Sequence, residues 1–354
     1  MNNRRILELI DYARENGCSD IHLTMDCPPV FRKNGDIIKS NYIFSKQELK
    51  EAIYSMLDEN QKKLIEQKVD LDFAFSDHKG ARQRVNIYNQ KNSLCAAIRI
   101  LNEHIPSFEE LNLPDVLKDL ISEPRGLILV TGPTGSGKST TLAAIIDYLN
   151  MNKKCHILTA EDPIEYIHNH KESLVHQREV GIDVSSFADA LRGALREDPD
   201  IILVGEMRDL DTISAAVTAA ETGHLVLSTV HTIGAAKTID RIIDVFPPHS
   251  QSQIRSQLAG VLKGIVTQQL VRKADGSGRT AAFEVLIGTE GVRNLIRDNK
   301  GHQINSALQT GVKEGMCTLE HSLAQLVNRS IISIEEALAT SSDKKLLMEY
   351  IDKV

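Results

Sequence analysis

From Gly132 to Thr140 the chain reads Gly132-Pro133-Thr134-Gly135-Ser136-Gly137-Lys138-Ser139-Thr140, which fits the pattern G-x-x-x-x-G-K-[ST]. Each residue type in it has a chemical reason. Glycines let the backbone turn and bring successive N–H groups up to a phosphate with no side chain in the way, and a helix that starts there adds partial positive charge. Lys138 is expected to reach the β- and γ-phosphates, and the Ser139 hydroxyl to ligate Mg2+. A glycine-rich turn that merely joins two elements would need neither neighbour. Here the apolar run Leu127-Ile128-Leu129-Val130 precedes the loop and a helical pattern runs from Thr140 through Leu149. Strand, phosphate loop and helix together imply that the chain binds a nucleoside triphosphate.

Two acidic groups follow apolar runs. Asp200-Ile201-Ile202-Leu203-Val204-Gly205-Glu206 has the form of a buried strand that delivers an acid to the Mg2+ side of the phosphates, the Walker B geometry. Gly205 stands where an Asp is usual, so Glu206 is expected to supply the metal-side carboxylate, through water because Mg2+ keeps much of its hydration shell. In Thr159-Ala160-Glu161-Asp162-Pro163, Glu161 is the candidate base that orients and deprotonates an attacking water. Read alone, Glu-Asp-Pro is equally a solvated turn.

His224 and His231 lie seven residues apart around one apolar strand. An odd offset sends them to opposite faces, so one metal would not take both. One of them could contact the γ-phosphate, although a lone strand histidine is more commonly structural. Arg82 and Arg84 share a strand face by their spacing of two and, with Arg99, form a candidate basic edge for phosphate charge at a domain or subunit interface.

These groups need scaffolds. At 354 residues the chain exceeds the usual limit of one core, so two domains are expected. Residues 1–103 read as a small α+β domain: a helix around Ile6–Ala13, short strands at Asp20, Pro28 and Gly35, a helix after the capping-box pair Ser45 and Glu48, and strands at Leu71, Ala81 and Leu94. The Pro-containing, acidic stretch 104–114 reads as a linker. From 115 to 354, strands at His156–Thr159, Ile201–Val204 and Leu225–Val230 alternate with helices at Ser186–Leu195 and Thr212–Ala220, so the fold class is α/β with a mostly parallel sheet covered on both faces. The last hundred or so residues read as mainly helical, with a hairpin possible around Asp275–Gly278.

Composition narrows the partners. A net charge of −7, with no basic stripe interleaved with aromatics, argues against nucleic acid. The five cysteines are scattered without a C-x-x-C pair, which reads as reduced thiols in a cytoplasmic protein. No window approaches a membrane-spanning apolar run, so only peripheral membrane association is expected.

The four segments GPTGSGKST, AEDPIEYIH, ALREDPDIILVGEMRD and AAETGHLVLSTVHT resemble, in order and spacing, the Walker A, Asp box, Walker B and His box of the secretion and type IV pilus ATPases. The resemblance runs over nearly the whole chain. It implies a RecA-like ATPase core behind a PAS-like N-terminal domain, a homohexameric ring with ATP at subunit interfaces, and an inner-membrane pilus platform protein as partner, at the inner face of the cytoplasmic membrane. By position it makes Glu161 the catalytic glutamate, Glu206 the Walker B glutamate, His224 and His231 the His-box residues, and Arg82, Arg84 and Arg99 the arginines that complete the nucleotide site. AAKTIDRIIDVFP and VRNLIR are similar to the pilus retraction ATPases in particular. The absence of a C-x-x-C and of an extra N-terminal domain points the same way. The retraction motif A-I-R-N-L-I stands here as Gly291-Val292-Arg293-Asn294-Leu295-Ile296, with two departures. The competing readings are a pilus assembly or type II secretion ATPase, a nucleotide-sensing module with little turnover, and a DNA motor, which the acidic balance disfavours.

Overall fold

The computed structural model describes residues 3–33, 35–101 and 104–351. The chain divides into two compact units, one of Met1–His104 with Pro163–Ile167 and the other of Ile105–Asp162 with His168–Val354. The expected boundary at 103 falls outside the described residues.

The first unit is α+β. It runs α1 (Asn3–Glu15), β1 (Asp20–Leu23), β2 (Val30–Lys33), β3 (Asp36–Lys39), α2 (Lys46–Tyr54), α3 (Glu59–Glu66), β4 (Leu71–Ser76), β5 (Arg82–Gln90) and β6 (Ser93–Ile100). The strands form an antiparallel sheet in the order β3-β2-β1-β6-β5-β4. Ile6, Ile10 and Ala13 recur at helical spacing and are completely buried against it. Ser45 and Glu48 make the expected capping box, each side chain satisfying the other's backbone N–H. A second box, Asp58 with Gln61, starts α3, a helix absent from the sequence reading because Ile65 is its one buried residue. Along β5, Gln83, Val85 and Ile87 are buried while Arg82, Arg84 and Asn86 take the other face.

The second unit holds α4 (Val116–Ser122), β7 (Gly126–Thr131), α5 (Lys138–Asn152), β8 (His156–Glu161), β9 (Leu174–Glu179), α6 (Phe187–Ala194), β10 (Ile201–Val204), α7 (Leu210–Glu221), β11 (Leu225–Val230), α8 (Ala235–Asp244), α9 (Gln251–Val261), β12 (Leu262–Arg272) and β13 (Arg279–Ile287). The helices α10 (Glu290–Arg297), α11 (Ile304–Thr310), α12 (Leu319–Asn328), α13 (Ile334–Thr340) and α14 (Lys344–Ile351) close the chain. Its sheet runs β13-β12-β7-β11-β10-β8-β9, parallel except for the β12–β13 hairpin. Successive residues of one strand feed two different cores. Leu127 and Leu129 pack with α7 and α9, whereas Ile128 and Val130 pack with α4 and α5. Burial on both faces is why these strands read as continuous apolar runs.

Three sequence expectations change. The region after Phe246 is mainly helical and has its hairpin around Asp275–Gly278, but β12 and β13 are longer than the sequence suggests, and β12 pairs with β7 beside the phosphate loop. Its polar Thr267, Gln268 and Gln269 break the apolar run that would mark a buried strand. The stretch expected as a linker is packed from Ile105 onward, because Phe108 and Leu113 are drawn into the second unit's core. The strand β9 escaped notice because its alternation is interrupted by His176, Gln177 and Arg178. No helix among the described residues is long and apolar enough to cross a membrane, and the five cysteines are free thiols.

Candidate active site

The parallel strands β7, β11, β10 and β8 lie side by side, and the residues that leave their carboxyl ends meet at one edge of the sheet. That edge, where the loops to the helices begin, is where open α/β sheets bind ligands. After β7 comes the phosphate loop. Gly132, Gly135 and Gly137 have φ of +144°, +77° and +86°, a region that L side chains avoid. Space excludes a side chain as well at the first of them, since a Cβ on Gly132 would stand 2.3 Å from the Gln268 carbonyl oxygen. Gly137 precedes α5 without any side-chain cap, which leaves the first N–H groups of the helix to an anion.

Lys138 is buried, and its ammonium donates to the carbonyls of Gly132 and Pro133 at 2.9 Å each, so its charge sits over the loop. Thr134, Gly135 and Ser139 are exposed along the loop and at the start of α5, and Thr140 is half-buried. The Ser136 hydroxyl is buried and has no hydrogen-bond partner. A buried donor without an acceptor, inside a ring of backbone N–H groups, fits a phosphate oxygen. Beside Gly137 and Thr140 a cavity of about 210 Å³ opens, walled by Glu110–Leu113, Leu270, Arg279 and Phe283. The segment read as a linker therefore forms one of its walls.

At the ends of β10 and β11, Glu206 receives two partners. Arg208 Nε lies 2.8 Å from one carboxylate oxygen and His231 Nε2 lies 3.3 Å from the other. Burial and the nearby Lys138 charge lower the His231 pKa, against the upward pull of Glu206, which favours the neutral imidazole. Gly205 is glycine for want of room: a Cβ there would be 3.3 Å from the Phe187 ring and 3.4 Å from the Ala160 carbonyl. At the end of β8, one Glu161 oxygen accepts from the Thr159 hydroxyl at 2.7 Å and from the Gln177 amide at 3.2 Å. Thr159 and Gln177 are register partners on β8 and β9, so the sheet itself aims this carboxylate.

His224 is not part of this group. It precedes β11 at the amino edge of the sheet, roughly 23 Å of chain from His231 at about 3.3 Å per residue, and its Nδ1 contacts the Ala219 carbonyl at 3.0 Å. In the first unit Arg84 and Arg99 are cross-strand neighbours, and each faces a carboxylate. Arg84 binds Asp72 at 2.6 Å and Arg99 binds Asp20 at 3.1 Å. The expected basic edge is thus a surface of alternating charge. Exposed pairs of this kind contribute at most about 1 kcal/mol, so a phosphate could replace either acid.

The phosphate loop, the two strand-end acids and His231 stand on one sheet edge. A family model described as type II/IV secretion system protein matches residues 4–349. The chain belongs to this family. It is 50% identical over 333 residues to the type IV pilus retraction ATPase PilT of Pseudomonas aeruginosa, covering 94% of this chain and 96% of that one. It is 49% identical over 312 residues to a twitching motility protein of Neisseria gonorrhoeae, covering 88% and 83%. A crystal structure of the pilus retraction motor PilT with bound ADP superposes with a TM-score of 0.90 at 47% identity, covering 97% of this chain and 99% of that one. The fold is accordingly that of this ATPase family, a RecA-like α/β core with a small α+β unit at its N-terminal side.

Sequence reasoning passed over Gln177, Arg208 and Gln268, the side chains that hold Glu161, Glu206 and the loop. A polar amide inside a largely apolar strand was the available signal for Gln268, whereas Gln177 stands among polar neighbours on β9 and gave none.

Proposed function

We propose that this chain is the subunit of a homohexameric, cytoplasmic motor that couples Mg2+-dependent ATP hydrolysis to retraction of type IV pili. The observation that carries the reading is the convergence of Lys138, Glu161, Glu206 and His231 on one sheet edge. Backbone N–H groups from Gly132 to Ser139 and the Lys138 ammonium hold the triphosphate, and the 210 Å³ cavity beside Thr140 takes the base. The orphaned Ser136 hydroxyl and the glycine backbone fit a phosphate chain. Ser139, together with Glu206 through water, would hold Mg2+, which when bound neutralises charge on the β- and γ-phosphate oxygens.

Glu161 takes the proton of the attacking water as its oxygen bonds to the γ-phosphorus and the bond to the β-phosphate oxygen breaks, leaving ADP and phosphate. Thr159 and Gln177 keep that carboxylate aimed. His231, neutral and hydrogen-bonded to Glu206, responds to the γ-phosphate. Arg82, Arg84 and Arg99 stabilise phosphate charge across a subunit interface. ATP binding closes the units of neighbouring subunits and release reopens them, and the ring passes the displacement to a platform protein at the inner face of the cytoplasmic membrane, where the chain associates peripherally. The likeness to retraction ATPases over most of the chain supports retraction over assembly.

The test is a count of surface pili in cells whose own copy carries Glu161→Gln. More pili that fail to shorten are expected. Bald cells would instead assign the motor to assembly. In purified protein, Lys138→Ala should abolish Mg2+-dependent ATP hydrolysis, and turnover that survived it would sink the mechanism.

A further inference from the structure

A glutamine on β12 grips the phosphate loop from behind. Gln268 is 4% exposed, and both ends of its amide are used. The nitrogen donates to the Ser136 carbonyl at 2.7 Å, and the oxygen accepts from the Thr141 hydroxyl at 2.7 Å. The first contact holds the loop and the second holds the opening turn of α5, so Lys138 and Ser139 lie between them. Its backbone fits just as closely: Gly132 leaves no space for a Cβ against the Gln268 carbonyl, and one on Gly137 would meet the side-chain nitrogen at 2.9 Å. Beside it the hydroxyls of Thr267 and Thr131 meet at 2.9 Å, joining β12 to β7 where the loop departs.

The same strand reaches the C-terminal helices. Val271 is fully buried among Leu319, Leu323 and Leu347. The Arg272 N–H donates to the Glu336 carboxylate at 2.9 Å, and the Ala274 N–H donates to the Ile331 carbonyl at 2.9 Å. From Gln268 to Arg272, the end of β12, is roughly 13 Å of strand, and Ala274 lies in the turn just beyond it. β12 pairs with β7 as far as Thr267 and with β13 all the way from Gly264 to Arg272, so the ladder to β13 spans the segment between Gln268 and Arg272 and stiffens it between these contacts.

We infer that Gln268 is a positioning residue that couples the state of the phosphate loop to the α12–α14 helices through β12. The inference rests on the loop being the nucleotide site. A bound phosphate adds a new partner to the Lys138 ammonium, which already donates to the Gly132 and Pro133 carbonyls, and the loop that responds is the one Gln268 holds. The amide is specific to this task. A carboxylate would set an acceptor against the Ser136 carbonyl, and an apolar chain would leave both Ser136 and Thr141 without their buried partner.

The test is hydrogen exchange on the full chain at Arg272, Ala274 and residues 331–336, with and without saturating Mg2+-ADP, in the native protein, Gln268→Leu and Gln268→Glu. Calorimetry of ADP binding runs in parallel. In the native chain ADP should slow exchange at Arg272 and Ala274 about tenfold. At ADP concentrations that saturate each variant, as calorimetry fixes them, the loop amides should be protected while the response at Arg272 and Ala274 disappears. Gln268→Glu keeps the size of the side chain and the Thr141 contact, so it reads the coupling if Gln268→Leu fails to fold. An unchanged ADP response in the variants, or none in the native chain despite ADP binding, overturns the coupling. Failure of the native chain to bind ADP would instead overturn the assignment of the loop, and the coupling with it.

Discussion

His231 Nε2 lies 3.3 Å from Glu206 Oε2 and ties the end of β11 to the end of β10, one strand away from the phosphate loop. An imidazole that bonds the metal-side acid is placed to make its other contacts with whatever fills the loop. Burial and Lys138 keep it neutral, so its N–H serves as a donor to Glu206 without adding a further charge. His231→Ala removes one of the two side chains at Glu206 and leaves Arg208 there. Loss of one such preorganised donor should lower kcat by roughly 10²–10³-fold, with ADP affinity little changed, as read by steady-state turnover beside calorimetry.

Stability should fall on acidification because of His168. The ring is 7% exposed, its Nδ1 has no partner, and burial depresses its pKa from 6.5 to about 4. Above pH 6.5 the imidazole is neutral in the folded and unfolded chains alike, and no penalty exists. Between pH 6.5 and 4 the unfolded chain takes up the proton and the folded chain does not, so stability declines by about 3 kcal/mol across that window. Denaturant midpoints of the native protein and His168→Leu, compared at pH 7.5, 5.5 and 4.5, should converge or cross as pH falls. Parallel curves would show that another group carries the acid sensitivity.

Restoring the usual acid before Glu206 should harm the protein. Gly205→Asp puts a Cβ within 3.3 Å of the Phe187 ring and a carboxylate beyond it. Overpacking of this kind costs about 1–3 kcal/mol. A lowered Tm is expected, with partial recovery when Phe187→Leu is added. An unaltered Tm in the single variant would mean that Phe187 yields freely.

Gly291 departs from the retraction motif without a spatial reason. It lies in the first turn of α10, its φ is not positive, and a Cβ would meet nothing closer than the Thr289 hydroxyl at 3.8 Å. Gly291→Ala should therefore stabilise the fold, by about 0.5–1 kcal/mol, through lost backbone freedom in the unfolded chain. Chemical denaturation measures it, and a loss of stability would show that the helix start needs the glycine.

The candidate site residues were legible because their constraints are local. A phosphate loop needs particular residue types at particular spacings, and a buried parallel strand announces itself as an apolar run whose last residue is the functional one, so Lys138, Glu161 and Glu206 could be named without coordinates. Periodicity placed Ile201–Val204 and Leu225–Val230, and the Ser45–Glu48 box placed α2. What tertiary structure alone decided is which strand ends share an edge. His224 and His231 looked alike in the sequence, yet the parallel direction of β11 sends one to the nucleotide edge and the other to the opposite edge. The partners of the candidate catalytic groups were decided there too. Gln177 meets Glu161 because β9 pairs with β8, and Gln268 meets Ser136 across 132 residues because β12 pairs with β7. Such contacts depend on strand order, which long-range packing sets, and no local pattern of residue types encodes them.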